Sequence, residues 1–260
     1  MRIIVDGNET YVGTGGREFD PALPALVFLH GAGLDHSVWA LLARAFAHRG
    51  CGVLAPDLPG HGRSAGAPLA TIAALADWTA ALVDAAGASK ARLVGHSMGS
   101  LIALETAARH PHKVSGLGLI ATAAAMTVSA DLLDAAKAND HAAIDMVAIW
   151  GNGFHATIGG SLAPGIWMLG GAERLLERAP PGVLFADLSA CNAYRDALAA
   201  AAKVTVPAAV ILGSRDLMTP LKAGKAIAAA IPAGRVTVLD GAGHMLMSER
   251  PEEVLAALRV

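Results

Sequence analysis

The chain has 260 residues, of which 54% are hydrophobic and 16% are charged, and its formal net charge is −2. This length suffices for one α/β domain with a large core. Because Lys and Arg form no cluster, the sequence lacks the basic surface that nucleic-acid binding needs, and no nucleic-acid partner is expected. The N-terminus lacks the pattern of a secretory signal, and no apolar run reaches the ~20 residues of a membrane-spanning helix. We therefore expect a cytoplasmic protein without a membrane partner.

The first half of the chain alternates predicted strands with predicted helices. Residues 1–20 have the apolar and polar alternation of two antiparallel edge strands. Continuous apolar runs predict buried parallel strands, and they span residues 25–29, 52–55, 92–94 and 114–121. Amphipathic stretches between them predict helices, which span about residues 37–49, 71–86 and 101–109. This alternation predicts a mostly parallel sheet with helices on both faces.

The alternation stops after the strand at 114–121. Residues 123–203 have the pattern of helical pieces that Gly and Pro interrupt, and they carry many of the large apolar side chains. Strands are predicted again at 208–212 and 235–239. The first of them leads to a helix with Thr219 as its cap and Pro220 as its first residue, and a helix near Pro251 ends the chain.

Two regions follow from this pattern. Residues 1–122 and 204–260 are predicted to form an α/β core, and residues 123–203 are predicted to form an inserted helical cap. Ligands of open α/β sheets bind at the carboxyl edge of the strands. A cap inserted after the strand at 114–121 is expected to cover that edge.

A Gly-x-Ser-x-Gly motif, Gly95-His96-Ser97-Met98-Gly99, lies between a predicted strand and a predicted helix. A serine on such a tight turn projects its hydroxyl out of the sheet, and the glycines leave room for a strained backbone. The alternative is a glycine-rich turn with an idle serine, which the strand–turn–helix context disfavours. Ser97 is therefore the candidate nucleophile.

A serine hydroxyl needs a base, and the base needs an orienting carboxylate. Asp216 and His244 each follow a predicted strand downstream of Ser97. Of the rival acids, Asp57 precedes the nucleophile, and Asp240 lies too close to His244 in sequence to orient it easily. The histidines lack the HExxH spacing of zinc enzymes, so no metal is expected. We expect a catalytic triad of Ser97, Asp216 and His244.

The order nucleophile, acid, base is that of the α/β-hydrolase family, which this chain resembles from about residue 24 to the C-terminus. The motifs that carry the resemblance are His30-Gly31-Ala32-Gly33, Asp57-Leu58-Pro59-Gly60-His61-Gly62-Arg63-Ser64, Gly95-His96-Ser97-Met98-Gly99, Gly213-Ser214-Arg215-Asp216 and Gly243-His244. The resemblance implies the α/β-hydrolase fold with a helical cap, in a serine carboxylesterase or lactonase-like branch. It also implies an oxyanion hole formed by the backbone N–H groups of Met98 and Ala32, with Gly33 as the alternative to Ala32.

The expected activity is hydrolysis of a small or medium carboxylic ester through an acyl-enzyme on Ser97, without a cofactor. Serine at this position counts against the haloalkane dehalogenase and epoxide hydrolase branches, which carry aspartate there. Substrate contacts are expected from Gly31, Gly33, Trp150, Trp167 and Phe185. The expected partner is a small-molecule ester, and the chain is expected to be a monomer or a homodimer.

Several alternative activities stay open at this point. Within the enzyme class they are hydrolysis of a lactone, an enol-lactone or a thioester, and carbon–carbon cleavage of the meta-cleavage type. The carbon–carbon hydrolases usually have Gly-x-Gly-Pro-Gly in the oxyanion loop and an aromatic residue after the catalytic histidine, whereas this chain has Leu34-Asp35 and Met245. Outside the enzyme class, the alternative is a weakly active small-molecule receptor on the same fold.

Overall fold

The computed structural model describes residues 1–160 and 167–259, and one eight-stranded sheet lies at its centre. In chain order the strands are β1 (Arg2–Val5), β2 (Asn8–Gly13), β3 (Ala25–Leu29), β4 (Gly52–Pro56), β5 (Ala91–His96), β6 (Val114–Ile120), β7 (Ala208–Gly213) and β8 (Gly234–Leu239). Their order across the sheet is β1-β2-β4-β3-β5-β6-β7-β8. Only the pairs β1–β2 and β2–β4 are antiparallel. The predicted mostly parallel sheet with an antiparallel edge is confirmed.

Among the described residues, a helix follows each strand from β3 to β8 along the chain. They are α1 (Ala40–Ala47), α2 (Ile72–Ala85), α3 (Met98–Arg109), α4 (Ala130–Ala138), α5 (His141–Gly151), α6 (Phe154–Thr157), α7 (Met168–Leu176), α8 (Val183–Ala193), α9 (Ala197–Ala202), α10 (Leu221–Ala230), α11 (Leu246–Glu249) and α12 (Pro251–Ala257). None of these helices combines the length and the hydropathy that crossing a bilayer requires.

The central strands of the sheet are buried on both faces, as strand β3 illustrates. Val27 and Leu29 belong to the core cluster that also contains side chains of α2 and α3. Leu26 and Phe28 belong to a second cluster with side chains of α1 and α12. Successive strand residues point to opposite faces, so a strand covered by helices on both sides must be apolar at every position. This is why the central strands are continuous apolar runs in the sequence.

Several helix starts differ from the prediction, and two of these differences involve the cap residue. The helix predicted at 37–49 begins with a 3₁₀ turn at His36–Trp39, capped by the Asp35 carboxylate, and α1 itself is shorter. The helix after β7 has Pro220 rather than Thr219 at its cap position. The Thr219 hydroxyl instead donates a hydrogen bond to Asp216 Oδ2 at 2.6 Å.

Six helices, α4 to α9, lie between β6 and β7, and no strand is found there among the described residues. Leu132, Ala136, Ala143 and Leu188 of α4, α5 and α8 form a small separate cluster, as a cap with its own core would. Helix α9 instead packs against α3. Its buried residues Ala197, Ala200 and Ala201 belong to the main core cluster. The division into a core and a cap of residues 123–203 stays a prediction.

Candidate active site

Ser97 lies on the turn between β5 and α3, with a backbone φ of +52° and ψ of −118°. Residues with a side chain rarely adopt this conformation, and holding one there costs about 1–3 kcal/mol. The flanking glycines are required by contact: a Cβ on Gly95 would lie 2.0 Å from Gly99 O, and one on Gly99 would lie 2.1 Å from Leu29 O. The close packing within this turn thus requires Gly95, and its packing against β3 requires Gly99.

Asp216 and His244 lie at the carboxyl ends of the neighbouring strands β7 and β8. His244 Nδ1 donates to Asp216 Oδ2 at 2.8 Å. Asp216 Oδ1 accepts from the N–H groups of Met218 and Thr219, each at 2.8 Å. Burial alone would raise the pKa of Asp216, but the contacts with His244 and Thr219 hold it below the usual value. An ionised Asp216 fixes the tautomer of His244 that leaves Nε2 free to take a proton.

The backbone of His244 is held from two sides. Its N–H donates to Gly151 O at 3.1 Å, and its carbonyl accepts from His96 Nε2 at 3.0 Å. Burial lowers the pKa of His96 to about 3, so the ring is neutral with its proton on Nε2. His96 is therefore more than a spacer before the nucleophile, because it supports the loop that carries the candidate base.

A buried carboxylate joins the end of α5 to the histidine loop (residues 240–245). Glu249 accepts from Gly153 N–H at 3.2 Å through Oε1 and from Gly243 N–H at 3.0 Å through Oε2. The two glycines lie so close that a Cβ on Gly243 would be 2.3 Å from Gly153 N. Glu249 thus holds the histidine loop against a segment of the predicted cap.

Ser97 and His244 line one cavity of about 260 Å³, together with Gly31 and Ala32. Its wall is mostly apolar and includes Leu34, Met126, Val128, Leu132, Val147, Trp150, Leu176, Leu184, Leu188, Leu217, Met218 and Met245. None of the described lining residues is Lys, Arg, Asp or Glu. Within the described chain Ser97 Oγ has no hydrogen-bond partner. Catalytic hydrogen bonds often tighten only when substrate is bound.

The backbone N–H groups of Ala32 and Met98, near Ser97, have no hydrogen-bond partner among the described residues. Met98 begins α3, and the first N–H groups of a helix have no partner inside it. Gly33 N–H, the alternative to Ala32, donates to Asp187 Oδ2 at 2.8 Å. Ala32 is therefore the better candidate for the second oxyanion donor, because its N–H is unoccupied.

The five predicted substrate contacts occupy different places. Gly31 and Trp150 line the cavity, and Trp150 is 36% exposed. Gly33 lies outside the cavity wall, under Leu176 and Leu184 of the predicted cap. Trp167 is 69% exposed and lines a neighbouring groove, whereas Phe185 packs against the small cap cluster. The structure thus brings Trp150 to the candidate site but not Trp167 or Phe185.

The rival acids are engaged elsewhere. Asp57 Oδ1 accepts from His36 Nδ1 at 2.6 Å, and Asp57 Oδ2 accepts from Arg63 N–H at 2.9 Å. Asp240 accepts from the Ser214 hydroxyl at 2.9 Å. Asp35, His36 and Asp57 form a compact group of metal-ligand types in the described chain. Their mutual and backbone hydrogen bonds account for this group without an ion.

Sequence reasoning missed several residues of the site. Thr219 follows Asp216 by three positions, a spacing at which a hydroxyl can bond a carboxylate in a turn, so a local signal existed. Glu249 and Asp187 had no such signal. Each lies on a helix, and the partners that explain its burial are loops in other parts of the chain.

Comparisons with known proteins agree with this architecture. A family model described as "Alpha/beta hydrolase family" matches residues 26–257. The pimeloyl-(acyl-carrier protein) methyl ester esterase of Chromobacterium violaceum is 36% identical over 245 residues, with 90% of this chain and 92% of that protein covered. The protein of the same name from Aromatoleum aromaticum is 33% identical, with 88% and 94% covered. Among solved structures, the enol-lactonase from Burkholderia xenovorans LB400 has a TM-score of 0.88 at 27% identity, with 99% and 98% covered. The predicted fold and enzyme class are confirmed, and the chain belongs to the alpha/beta hydrolase family.

Proposed function

We propose that the protein hydrolyses carboxylic esters through an acyl-enzyme on Ser97. The observation that carries the proposal is the 2.8 Å hydrogen bond from His244 Nδ1 to the buried Asp216, with His244 and the strained Ser97 on the wall of one cavity. This combination supports a nucleophile, a base and an orienting acid in the roles that acyl transfer needs.

The reaction follows from these groups. His244 Nε2 takes the Ser97 hydroxyl proton while Ser97 Oγ bonds to the ester carbonyl carbon. The N–H groups of Met98 and Ala32 stabilise the oxyanion of the tetrahedral intermediate. When the carbon–oxygen bond to the alcohol breaks, His244 returns the proton to the leaving oxygen. Water, deprotonated by His244, then attacks the acyl carbon and releases the acid and free Ser97.

The cavity supports an ester with an uncharged, apolar acyl chain. A buried charge needs a partner, and the described lining offers only neutral polar groups and the candidate triad. The curated relatives are named methyl ester esterases, so methyl esters of aliphatic acyl groups are the first substrates to test. A lactone is the second candidate, because an enol-lactonase has the same fold over nearly the whole chain.

We expect kcat/KM for a short or medium aliphatic ester to exceed that for a ring-fission dienoate by at least about a hundredfold, roughly 2.7 kcal/mol of transition-state stabilisation. The physical reason is that no Arg or Lys among the described lining residues can pair with the dienoate charge. Initial rates on a panel of graded acyl esters, a lactone and a dienoate measure the ratio. Comparable values, or a preference for the dienoate, would identify a carbon–carbon hydrolase instead.

We infer that the proposed cap sets substrate size, because helices α4, α5, α7 and α8 supply part of the cavity wall. Trp150→Ala is expected to shift the ratio of kcat/KM for long and short acyl esters by about tenfold towards the long ester, since it enlarges the cavity mouth. Trp167→Ala and Phe185→Ala are matched controls outside the wall and should leave the ratio within about twofold. An unchanged ratio in Trp150→Ala would show that another part of the wall limits acyl length.

A further inference from the structure

One buried carboxylate of the predicted cap plays no part in the mechanism above. Asp187 on α8 is only 1% exposed, and carboxylates are rarely buried so completely without partners. Its Oδ2 accepts from Gly33 N–H at 2.8 Å and from His61 Nε2 at 2.8 Å. A single oxygen of the cap therefore contacts both the β3 loop (residues 30–35) and the loop after β4.

His61 makes this contact ionic. Its Nδ1 donates to Pro59 O at 3.0 Å and its Nε2 donates to Asp187, so both ring nitrogens carry protons. Burial lowers the pKa of His61, but the Asp187 charge and hydrogen bonds outweigh it and raise the pKa above the usual value. The neighbouring ring of His30 is neutral: burial lowers its pKa to about 4, and its Nε2 accepts Leu58 N–H. His61 and Asp187 therefore form a buried ion pair.

The β3 loop is held at two successive peptide groups around Ala32. The carbonyl of the first, Gly31 O, accepts from His30 Nδ1 at 2.9 Å and from Leu34 N–H at 3.2 Å. A trans peptide points its N–H opposite to its carbonyl, so these bonds orient Ala32 N–H. The N–H of the second peptide, Gly33 N–H, is the one that donates to Asp187. Asp187 thus fixes the chain on the carboxyl side of Ala32.

We propose that Asp187 is a positioning residue for the oxyanion hole, and that through it the predicted cap helps to stabilise the transition state. This proposal rests on the proposed function, in which Ala32 N–H binds the oxyanion. Asp187 does not line the cavity among the described residues, so it acts through the Gly33 peptide rather than by contact with substrate. Preorganised donors contribute only if they stay at the position where charge develops.

Three variants separate positioning from simple packing. Asp187→Leu removes the acceptor of Gly33 N–H but also leaves His61 as an unpaired buried charge, which can prevent folding. The double variant His61→Leu with Asp187→Leu removes the acceptor and both charges, and apolar replacement of a buried ion pair is often tolerated. Asp187→Asn keeps an oxygen for Gly33 N–H. Tyr194→Phe is the control, since Tyr194 follows the C-terminal end of α8 and the change removes the hydrogen bond from its hydroxyl to Glu105 Oε2, which involves no residue of the β3 loop.

The measurement is kcat and KM for a p-nitrophenyl ester, with the melting temperature of each variant. We expect the double variant to lose about a hundredfold in kcat with KM within about threefold, because an oxyanion donor acts on the transition state more than on bound substrate. Asp187→Asn should restore kcat to within about tenfold of the wild type, and Tyr194→Phe should leave it within about twofold.

A double variant that folds and keeps kcat within about threefold of the wild type would overturn the proposal. So would a matched fall of kcat in Tyr194→Phe, since cap packing would then explain the loss. If the wild-type protein neither hydrolyses the ester nor reacts with a fluorophosphonate, the proposed function itself fails. The two failures are therefore distinguishable in one set of preparations.

Discussion

Ser97→Ala is expected to lower kcat for a model ester by at least about a thousandfold, with the fold unchanged. The Ser97 hydroxyl has no hydrogen-bond partner in the described chain, so its removal breaks no structural contact. Initial rates, circular dichroism and mass spectrometry after fluorophosphonate treatment measure the outcome. The wild type should gain one phosphonyl adduct on Ser97, and the variant should gain none. Activity near the wild-type level in Ser97→Ala would refute the proposed mechanism.

Ser97→Gly is the matched variant. Glycine adopts the +52° φ of this position without the strain that any side chain causes, so Ser97→Gly should be more stable than Ser97→Ala by about 1 kcal/mol. Both should be inactive. Urea unfolding of the pair measures the difference, and equal stability would mean that the turn is not strained. The comparison separates the contribution of the hydroxyl from that of the backbone.

Asp216→Asn should also reduce kcat by about a thousandfold or more. If the amide oxygen keeps the bonds from Met218 and Thr219 N–H, the NH₂ group faces His244 Nδ1 and favours the tautomer that carries its proton on Nε2. That tautomer cannot take the Ser97 proton. Asp240→Asn, the matched change of a rival acid, should keep nearly full activity. If Asp216→Asn kept full activity and Asp240→Asn lost it, the role of the orienting acid would belong to Asp240 instead.

The same variant should also change how the stability of the protein depends on pH. The pKa of Asp216 is lower in the folded protein than the ordinary value of about 3.9, so its ionised form contributes stability above that pH. This contribution is lost as the pH falls through the folded pKa. The stability difference between wild type and Asp216→Asn should therefore be constant at neutral pH and shrink under acid conditions. Urea unfolding between pH 3 and pH 7 would measure it, and a difference that grows in acid would contradict the assignment.

The central strands could be predicted from the sequence because burial on both faces leaves a continuous apolar run. The predicted strand at 25–29 coincides with β3, and the other central strands agree within a few residues. The contact of Asp216 with His244 also follows from topology, since β7 and β8 are neighbours and their carboxyl ends share an edge. Local patterns and the resemblance to a known family were enough to predict these features, and the strand order of the structure explains the second.

Positions in the predicted cap were harder to predict, because nothing in its helical pattern indicates which face meets the sheet. Trp150 and Trp167 are both large aromatic residues beside glycine breaks, yet only Trp150 lines the cavity. Asp187 and His61 are 126 positions apart, so neither residue signals the other. Such pairs depend on how the cap packs on the loops, which spacing along one chain does not encode.

The bonds that join Gly151 and Gly153 to the histidine loop also affect how the protein moves. His244 N–H and Met245 N–H both donate to Gly151 O, and Glu249 bonds to Gly153. Segments joined by shared hydrogen bonds open together in local unfolding, so the end of α5 and the histidine loop form one cooperative unit. An opening there would disorder His244, the proposed base, at the moment when substrate enters. Substrate exchange that keeps His244 in place must therefore leave the contacts between Gly151 and the histidine loop closed.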